Sequence, residues 1–246
     1  MRILIQDIPV DLLARPVLLE SIIEWLKFPG QPRQIITLNS LMLVNAGRNQ
    51  ELKRILCAAD LVTIDGFGIE LLLRRRGHQE VTRWAGIDLV RDLLGWCSGS
   101  GFPVFFYGGP PAMNAPLRQA MANLFPRLRI VGIRDGFNNM APQPAVVEEV
   151  ERIGPCLLLA GLGSPAQEIF LARHLPRMPG TVGIGVGGAL EVLSGMKKEV
   201  PRFFRNCGWE WLYRMVREPE RLRNLPDLLW FWYQFIRLRK DGGESN

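Results

Sequence analysis

The chain has 246 residues, of which 48% are hydrophobic and 22% are charged, and its formal net charge is +6 at pH 7. This length and apolar content support one folded domain, with or without an appendage, and exclude a chain that is disordered throughout. The excess of basic residues favours an anionic partner, such as a nucleotide, a phospholipid surface or a nucleic acid.

The cysteines and the first residues of the chain predict a cytoplasmic protein. Because no C-x-x-C pair occurs, we expect reduced core thiols rather than zinc ligands. The N-terminal residues lack the apolar stretch of a signal peptide, and no run approaches the roughly 18 apolar residues of a membrane span. The cysteines are Cys57, Cys97, Cys156 and Cys207.

Short apolar runs alternate with segments of helical periodicity along most of the chain. Residues 1–28 predict a short strand and a helix that join the main domain. The predicted strands that follow are Gln34–Leu38, Leu61–Ile64, Val104–Tyr107, Leu128–Ile133, Cys156–Ala160 and Thr181–Val186. The predicted helices are Leu41–Cys57, Gly68–Arg76, Ile87–Cys97, Ala112–Leu124, Pro144–Ile153 and Ala166–Leu175. This alternation predicts an α/β fold with a doubly wound, mostly parallel, Rossmann-like sheet, forming a catalytic domain over residues 1–195.

Binding sites in such sheets lie beyond the carboxyl ends of the strands. Residues that follow the predicted strands are therefore candidates for a site. They are Thr37, Asn39, Ser40, Asp65, Gly108, Gly109, Asp135, Gly161–Gln167, Gly185, Gly187 and Gly188.

The stretch Gly161–Phe170 carries the clearest local signal. Its glycines permit a tight turn, Ser164 is a natural N-cap, and Pro165 fits the first helical position. A helix that starts there offers backbone N–H groups and a positive dipole end to an anion such as a diphosphate. An ordinary strand-to-helix turn explains the same pattern, and the residues alone leave both interpretations open.

Asp65 ends a predicted strand, so its carboxylate is placed to act as a general base if apolar surroundings raise its pKa. A turn aspartate before Gly66 is the alternative. Arg83 either clamps a phosphate or pairs with Asp88.

Thr37 and Asn39 offer hydroxyl and amide groups to sugar hydroxyls. Asn39-Ser40 also fits a cap for the helix that follows. The residues alone do not decide between these two roles.

The composition changes after residue 195. Residues 196–246 contain eleven basic and seven acidic residues, and ten of the 22 aromatic residues of the chain. We predict a basic and aromatic C-terminal appendage of two or three short helices, with Arg214, Arg217 and Arg221 on one helical face. This composition suits an anionic membrane interface, and a helix pair packed on the core is the alternative.

Several catalytic motifs are missing from the sequence. It contains no dinucleotide glycine fingerprint after the first strand, no phosphate-loop lysine motif, no G-x-S-x-G elbow and no Asp-x-Asp pair. These absences count against an NAD enzyme, a P-loop NTPase, a serine hydrolase and a metal-dependent transferase.

An ordered set of motifs resembles the WecG/TagA/CpsF family of bacterial glycosyltransferases over roughly residues 34–222. Each motif is weak alone, but their order makes the resemblance specific. The set is Thr37-Leu38-Asn39, Ala59-Asp60-Leu61, Asp65-Gly66, Arg83–Asp88, Gly108-Gly109, Asp135-Gly136, Gly163–Glu168, Gly185–Gly188, Glu210–Arg214 and Glu218–Arg221.

The resemblance implies a metal-independent, inverting transfer from a UDP-sugar to a polyprenyl-diphosphate-linked sugar at the inner face of the cytoplasmic membrane. The reaction it implies moves N-acetylmannosamine onto undecaprenyl-diphosphate-linked N-acetylglucosamine in the synthesis of teichoic acid or a related polymer. Family members also use UDP-glucose or UDP-N-acetylmannosaminuronic acid. We expect a peripheral membrane protein with no cofactor, no metal and no nucleic-acid partner, and a homo-oligomer is compatible with it.

The resemblance also implies roles for particular residues. Asp65 would be the catalytic base, with Thr37 beside it, and Asn39, Arg83 and Gln167 would surround the sugars and the diphosphate. Arg214, Arg217 and Arg221 would bind the lipid diphosphate. Asn224 stands where a third arginine is expected, and Arg217 or Arg223 would replace it. The turns that contain Gly163, Gly185 and Gly187, with Glu191 nearby, would hold the UDP group. Gly108, Gly109 and Ser164 would also bind the substrate.

Two other functions are weighed against this one. A Rossmann-type oxidoreductase would use the same edge of the sheet, although no glycine fingerprint follows the first predicted strand. A non-catalytic adaptor at the membrane surface would only sense a nucleotide, and the set of Asp65, Arg83 and Gln167 argues against it.

Overall fold

The computed structural model describes residues 1–81, 83–136 and 143–241, without the side chains of residues 202, 206 and 234–241. Its strands are β1 (Arg2–Ile5), β2 (Ile8–Asp11), β3 (Arg33–Leu38), β4 (Leu61–Ile64), β5 (Val104–Gly108), β6 (Ile130–Arg134), β7 (Leu157–Gly161) and β8 (Val182–Gly185). Strands β1 and β2 form an antiparallel hairpin. The other six form one parallel sheet in the order β4-β3-β8-β7-β5-β6.

Helices cover both faces of this sheet. Those before residue 196 are α1 (Arg15–Lys27), α2 (Ser40–Arg48), α3 (Gln50–Ala58), α4 (Phe67–Arg75), α5 (Gly86–Ser100), α6 (Asn114–Leu124), α7 (Gln143–Ile153), α8 (Ala166–His174) and α9 (Ala189–Leu193). Those after it are α10 (Arg202–Asn206), α11 (Glu210–Arg217) and α12 (Leu225–Asp241), with a 3-10 helix at Pro219–Asn224.

Side chains that alternate along the strands build a separate core on each face of the sheet. Ile35 packs with α1 and α5 on one face, whereas its neighbour Ile36 packs with α2 and α3 on the other. Phe105 and Leu158 belong to a third cluster, with α7 and α8. A strand buried on both faces needs apolar residues at every position, which explains the continuous apolar runs of the sequence.

The predicted Rossmann-like α/β fold is confirmed, and two details of the prediction are wrong. Residues 1–28 contain two strands before the helix, not one. The predicted helix Leu41–Cys57 is two helices, because the side chain of Asn49 accepts a hydrogen bond (3.0 Å) from the backbone N–H of Leu52 and starts a new helix.

The C-terminal helices pack on the core and also expose apolar side chains. Phe231 of α12 is 4% exposed and joins the cluster formed by α2, α3 and α4, and Met215 of α11 is buried. The packed-helix alternative therefore describes part of this region, while contact with a membrane and the domain boundary at residue 195 stay predictions. Exposed apolar residues here include Trp209, Leu212, Val216, Leu229 and Trp230. Within the described ranges, no helix is both long and apolar enough to span a bilayer.

Candidate active site

Asp65 and Thr37 lie side by side at the carboxyl ends of neighbouring strands. The backbone N–H of Asp65, just after β4, donates to the carbonyl of Leu38 in β3 (2.8 Å). The hydroxyl of Thr37 lies 3.4 Å from the carbonyl of Gly185 in β8 and donates to it. The ends of three adjacent strands are therefore connected in one row, as the sequence predicts.

The first residue of α5 contacts both of these side chains. The backbone N–H of Gly86 donates to the Asp65 carboxylate. A Cβ atom on Gly86 would lie 3.3 Å from Oδ2 of Asp65 and 3.4 Å from Oγ1 of Thr37. Gly86 therefore leaves the space in which the two side chains meet, and the start of α5 presents its positive dipole end to the carboxylate.

Burial raises the pKa of Asp65 from its usual 3.8 to about 6. The nearby Glu210 carboxylate of α11 contributes to this rise, whereas Arg214, the Gly86 N–H and Arg83 oppose it. A carboxyl group with a pKa near 6 is ionised at neutral pH and is a stronger base than an ordinary aspartate. Burial and a raised pKa fit a general base, and an aspartate that only stabilises a turn requires neither of them.

Arg83 connects the site to the C-terminal helices. Its guanidinium donates to the backbone carbonyl of Arg205 in α10 (2.9 Å), and its own carbonyl accepts hydrogen bonds from Arg15. The expected alternative partner, Asp88, is instead contacted by the side chain of Arg205 (3.3 Å). Arg83 is thus held between the core and α10, close enough to Asp65 to lower its pKa.

We expect Gly86→Ala to lower kcat by about 10²-fold, because the added methyl group displaces Asp65 or Thr37 by a fraction of an ångström. The measurement is steady-state turnover, with circular dichroism to confirm the fold. The control is Gly99→Ala in the same helix, where an added Cβ meets no atom within 4 Å. That control should keep its kcat and gain about 0.5–1 kcal/mol of stability. A Gly86→Ala variant as active as the control would show that the contact is unimportant.

Asn39 lies beside Asp65 and caps a helix. Its Oδ1 accepts a hydrogen bond from the N–H of Met42 (3.0 Å), so the cap interpretation is confirmed. Its Cβ would be 3.6 Å from a Cβ placed on Gly66. A role for Asn39 in binding a sugar stays a prediction.

The glycines at the ends of β5, β6 and β7 pack tightly against each other. Gly109 N–H donates to the Gly161 carbonyl (3.2 Å), and Gly136 N–H donates to the Gly109 carbonyl (3.0 Å). Gly108 has φ +135°, and a Cβ there would lie 2.3 Å from the Gly161 oxygen, so only glycine fits. These turns form the far end of the same row of strand ends.

The helix after Gly163 begins at the predicted residue, Ala166, but its N-terminal cap differs from the prediction. Helix α8 begins at Ala166 with Pro165 before it, so the prediction of Ser164 as N-cap and Pro165 as first helical residue is wrong. The carboxyl group of Glu168, in the first turn of α8, accepts a hydrogen bond from the backbone N–H of the same residue. The positive end of α8 therefore already faces the carboxyl group of Glu168, and binding of a diphosphate to this turn stays a prediction.

Gln167 and Glu168 are both buried at this turn. Gln167 Oε1 accepts the N–H of Gly187 (2.8 Å), and Gln167 Nε2 donates to Glu168 Oε1 (2.7 Å). The Gly163 turn and the Gly185–Gly188 turn are therefore joined by a side chain.

Two of the three predicted lipid-binding arginines are paired with carboxylates. Arg214 donates to Glu210 (2.7 Å), and Arg221 donates to Glu218. Burial tends to raise the pKa of Glu218, but Arg221, Lys197 and Arg214 lower it.

Two further predicted residues lie at the edges of this region. Glu191 of α9 pairs with Lys197 (2.8 Å), which also reaches Glu218 (3.6 Å). Arg217 is exposed, and its guanidinium lies 5.8 Å from the centre of the Tyr213 ring. Helix α11 thus brings Arg214 and Glu210 near Asp65, while the guanidinium of Arg217 lies over the Tyr213 ring.

Two cavities of about 420 and 430 Å³ flank the first half of α5, next to this row rather than within it. They share Asp88, Arg91 and Arg205, and Arg83 lines one of them.

Across the part of the chain that the structure describes, no group of three or more His, Cys, Asp or Glu residues could hold a metal ion. Metal independence stays a prediction.

Sequence reasoning missed four residues that shape the site. Gly86, Glu168 and Glu210 lie inside motifs that were recognised, but their contacts depend on the tertiary structure. Arg205 gave no signal beyond its charge. The spacing of Glu210 and Arg214, four residues apart, could have predicted their pairing.

One family model matches the chain. It describes the glycosyl transferase WecG/TagA/CpsF family, and it covers residues 3–244.

Proposed function

This chain belongs to the WecG/TagA/CpsF family of glycosyltransferases, and we propose that it transfers N-acetylmannosamine from UDP to undecaprenyl-diphosphate-linked N-acetylglucosamine. The proposed transfer inverts the anomeric centre and needs no metal ion. Family membership supports a glycosyltransferase of cell-surface polymer synthesis. The donor, the acceptor and the stereochemistry are our proposal.

The observation that carries the proposal is the environment of Asp65. An inverting transfer needs a base on the acceptor hydroxyl, at the face of the sugar opposite the leaving group. Asp65 is half-buried at the strand end, has a pKa of about 6, and lies near the cationic side chains of Arg83 and Arg214. We propose that it removes the proton of the acceptor hydroxyl while Thr37 orients the reacting groups.

The donor is proposed to lie along the row of strand ends. From β4 to β7 the row crosses three strand spacings, or about 14 Å. Asp65 stands at one end, the turn that contains Gly163 stands at the other, and the turn that contains Gly185 and Gly187 lies between them. Backbone N–H groups and the arginines would stabilise the departing UDP without a metal.

The C-terminal helices are proposed to bring the lipid acceptor to this row. Arg214 and Arg221 would exchange their carboxylate partners for the lipid diphosphate, since guanidinium groups bind both kinds of oxyanion. The exposed apolar residues of α11 and α12 would lie in the interface of an anionic membrane. We propose that this membrane surface is the inner face of the cell membrane.

The test is a transfer assay with lipid-linked N-acetylglucosamine and separate UDP-sugars, carried out with a chelator. We expect a product with one added N-acetylmannosamine, whose mass is read by mass spectrometry and whose anomeric configuration is read by NMR. Transfer of glucose or N-acetylmannosaminuronic acid would identify another donor of the same reaction class. Loss of activity in the chelator would overturn metal independence. No release of UDP with any donor would favour the non-catalytic adaptor.

A further inference from the structure

Gln167 is held inside the protein rather than presented to a ligand. It is 4% exposed, and each polar atom of its amide already has a partner. Its carbonyl oxygen accepts the N–H of Gly187 (2.8 Å), and its NH₂ group donates to Glu168 (2.7 Å). The side chain therefore connects α8 to the turn that follows β8.

Glu168 connects α8 to the central sheet. It is 1% exposed, and its backbone carbonyl accepts a hydrogen bond from the side chain of Gln34 in β3 (3.1 Å). Burial raises the pKa of its carboxyl group, while hydrogen bonds from Gln167, from Ser164 and from its own N–H oppose the rise. A buried carboxyl group is costly unless it is hydrogen-bonded. Oε2 of Glu168 is buried without a hydrogen-bond partner among the described residues, so the bond from Gln167 to Oε1 is the contact that fixes the position of both side chains.

Gly185 leaves the space that this pair occupies. A Cβ atom on Gly185 would lie 2.6 Å from Nε2 of Gln167 and 2.9 Å from Oε1 of Glu168. The carbonyl of the same glycine accepts the hydroxyl of Thr37. Gly185 thus contacts the Gln167–Glu168 pair on one side and the Thr37 side chain on the other.

We propose that Gln167 and Glu168 are positioning residues that fix the Gly185–Gly188 turn, and that Gln167 acts through this turn and not by touching the substrate. What the turn binds, a UDP-sugar, rests on the proposed function. The positioning itself does not, because it can be observed at the amide of Gly187.

The test exchanges the two side chains. In Gln167→Glu the carboxylate can still accept the Gly187 N–H, but it faces the carboxyl group of Glu168. In the double variant Q167E/E168Q the new glutamine can donate to the new glutamate, so the connection is restored with its direction reversed. We expect Q167E to raise the KM for the UDP-sugar about tenfold or more, and the double variant to return to within about threefold of the wild type.

Hydrogen exchange at residues 185–188 gives a second measurement that needs no substrate. Exchange should be faster in Q167E and should return to the wild-type rate in the double variant. The matched control is Q50E/E51Q, the same exchange at exposed positions in the first turn of α3, which should change neither quantity.

The outcomes separate the two proposals. If the double variant is as impaired as Q167E in both measurements, the positioning role is wrong. Recovery of the exchange rate without recovery of KM would also overturn it, because Gln167 would then contact the substrate directly. If exchange is restored but the wild-type protein neither binds UDP nor transfers sugar, the proposed function fails and the positioning role stands.

Discussion

Asp65→Asn is expected to lower kcat by about 10²–10⁴-fold, while UDP still raises the melting temperature of the variant. Asparagine has nearly the shape of aspartate and can accept the Gly86 N–H, but it cannot take a proton from the acceptor. The measurement is single-turnover transfer with saturating donor, together with a thermal shift in UDP. Turnover within a few-fold of the wild type would remove Asp65 from the mechanism.

The same substitution should stabilise the protein at neutral and higher pH. The folded protein raises the pKa of Asp65, so it binds the proton more tightly than the unfolded chain does. Ionising this group as the pH rises through about 6 therefore costs stability, up to about 3 kcal/mol for a pKa change from 3.8 to about 6. Asparagine avoids this cost. Chemical denaturation at about pH 8 and about pH 4 should show the gain at the higher pH only.

Deleting residues 202–246 is expected to lower transfer to a lipid-linked acceptor by at least about 10²–10³-fold. The deletion removes Arg214, which acts on Asp65, and Arg205, whose carbonyl holds Arg83. We also expect the truncated chain to lose its binding to anionic vesicles in a flotation assay. A truncated chain that unfolds cooperatively yet keeps both properties would contradict the role assigned to these helices.

A point variant tests the same role in the full-length chain. Phe231→Ala removes a ring that lies against Gly68 and belongs to the cluster formed by α2, α3 and α4, and loss of a buried phenylalanine costs about 3–5 kcal/mol. We expect α12 to detach and transfer to fall, while the sheet stays folded. The matched control is Phe28→Ala, because Phe28 is 74% exposed and should tolerate the change.

Much of the fold could be predicted from local patterns. Strands buried on both faces are continuous apolar runs, and their glycine-rich ends mark the working edge of the sheet, so Asp65 and Thr37 were placed together. Asn49 shows the limit of this reasoning, because the apolar periodicity continues across it. Its capping bond, not the hydrophobic pattern, divides α2 from α3.

The candidate site was harder to predict where contacts join distant parts of the chain. Gln167 looks like a surface residue in the first turn of a helix, and only the fold shows that it reaches Gly187 across twenty residues. Ser164 has the chemistry of an N-cap, but Pro165 occupies that position and α8 begins at Ala166. The influence of Glu210 on Asp65 crosses the boundary between the sheet and the C-terminal helices, where no periodicity connects the two.

The dependence of kcat/KM on pH tests the role of Asp65 most directly. If Asp65 is the base, kcat/KM is inversely proportional to the proton concentration below about pH 6. Glu210→Gln should move this acid limb to lower pH, because Glu210 raises the pKa of Asp65, whereas Glu220→Gln at an exposed position should not move it. A rate that stays constant down to about pH 5, or an acid limb that persists in Asp65→Asn, would contradict the account.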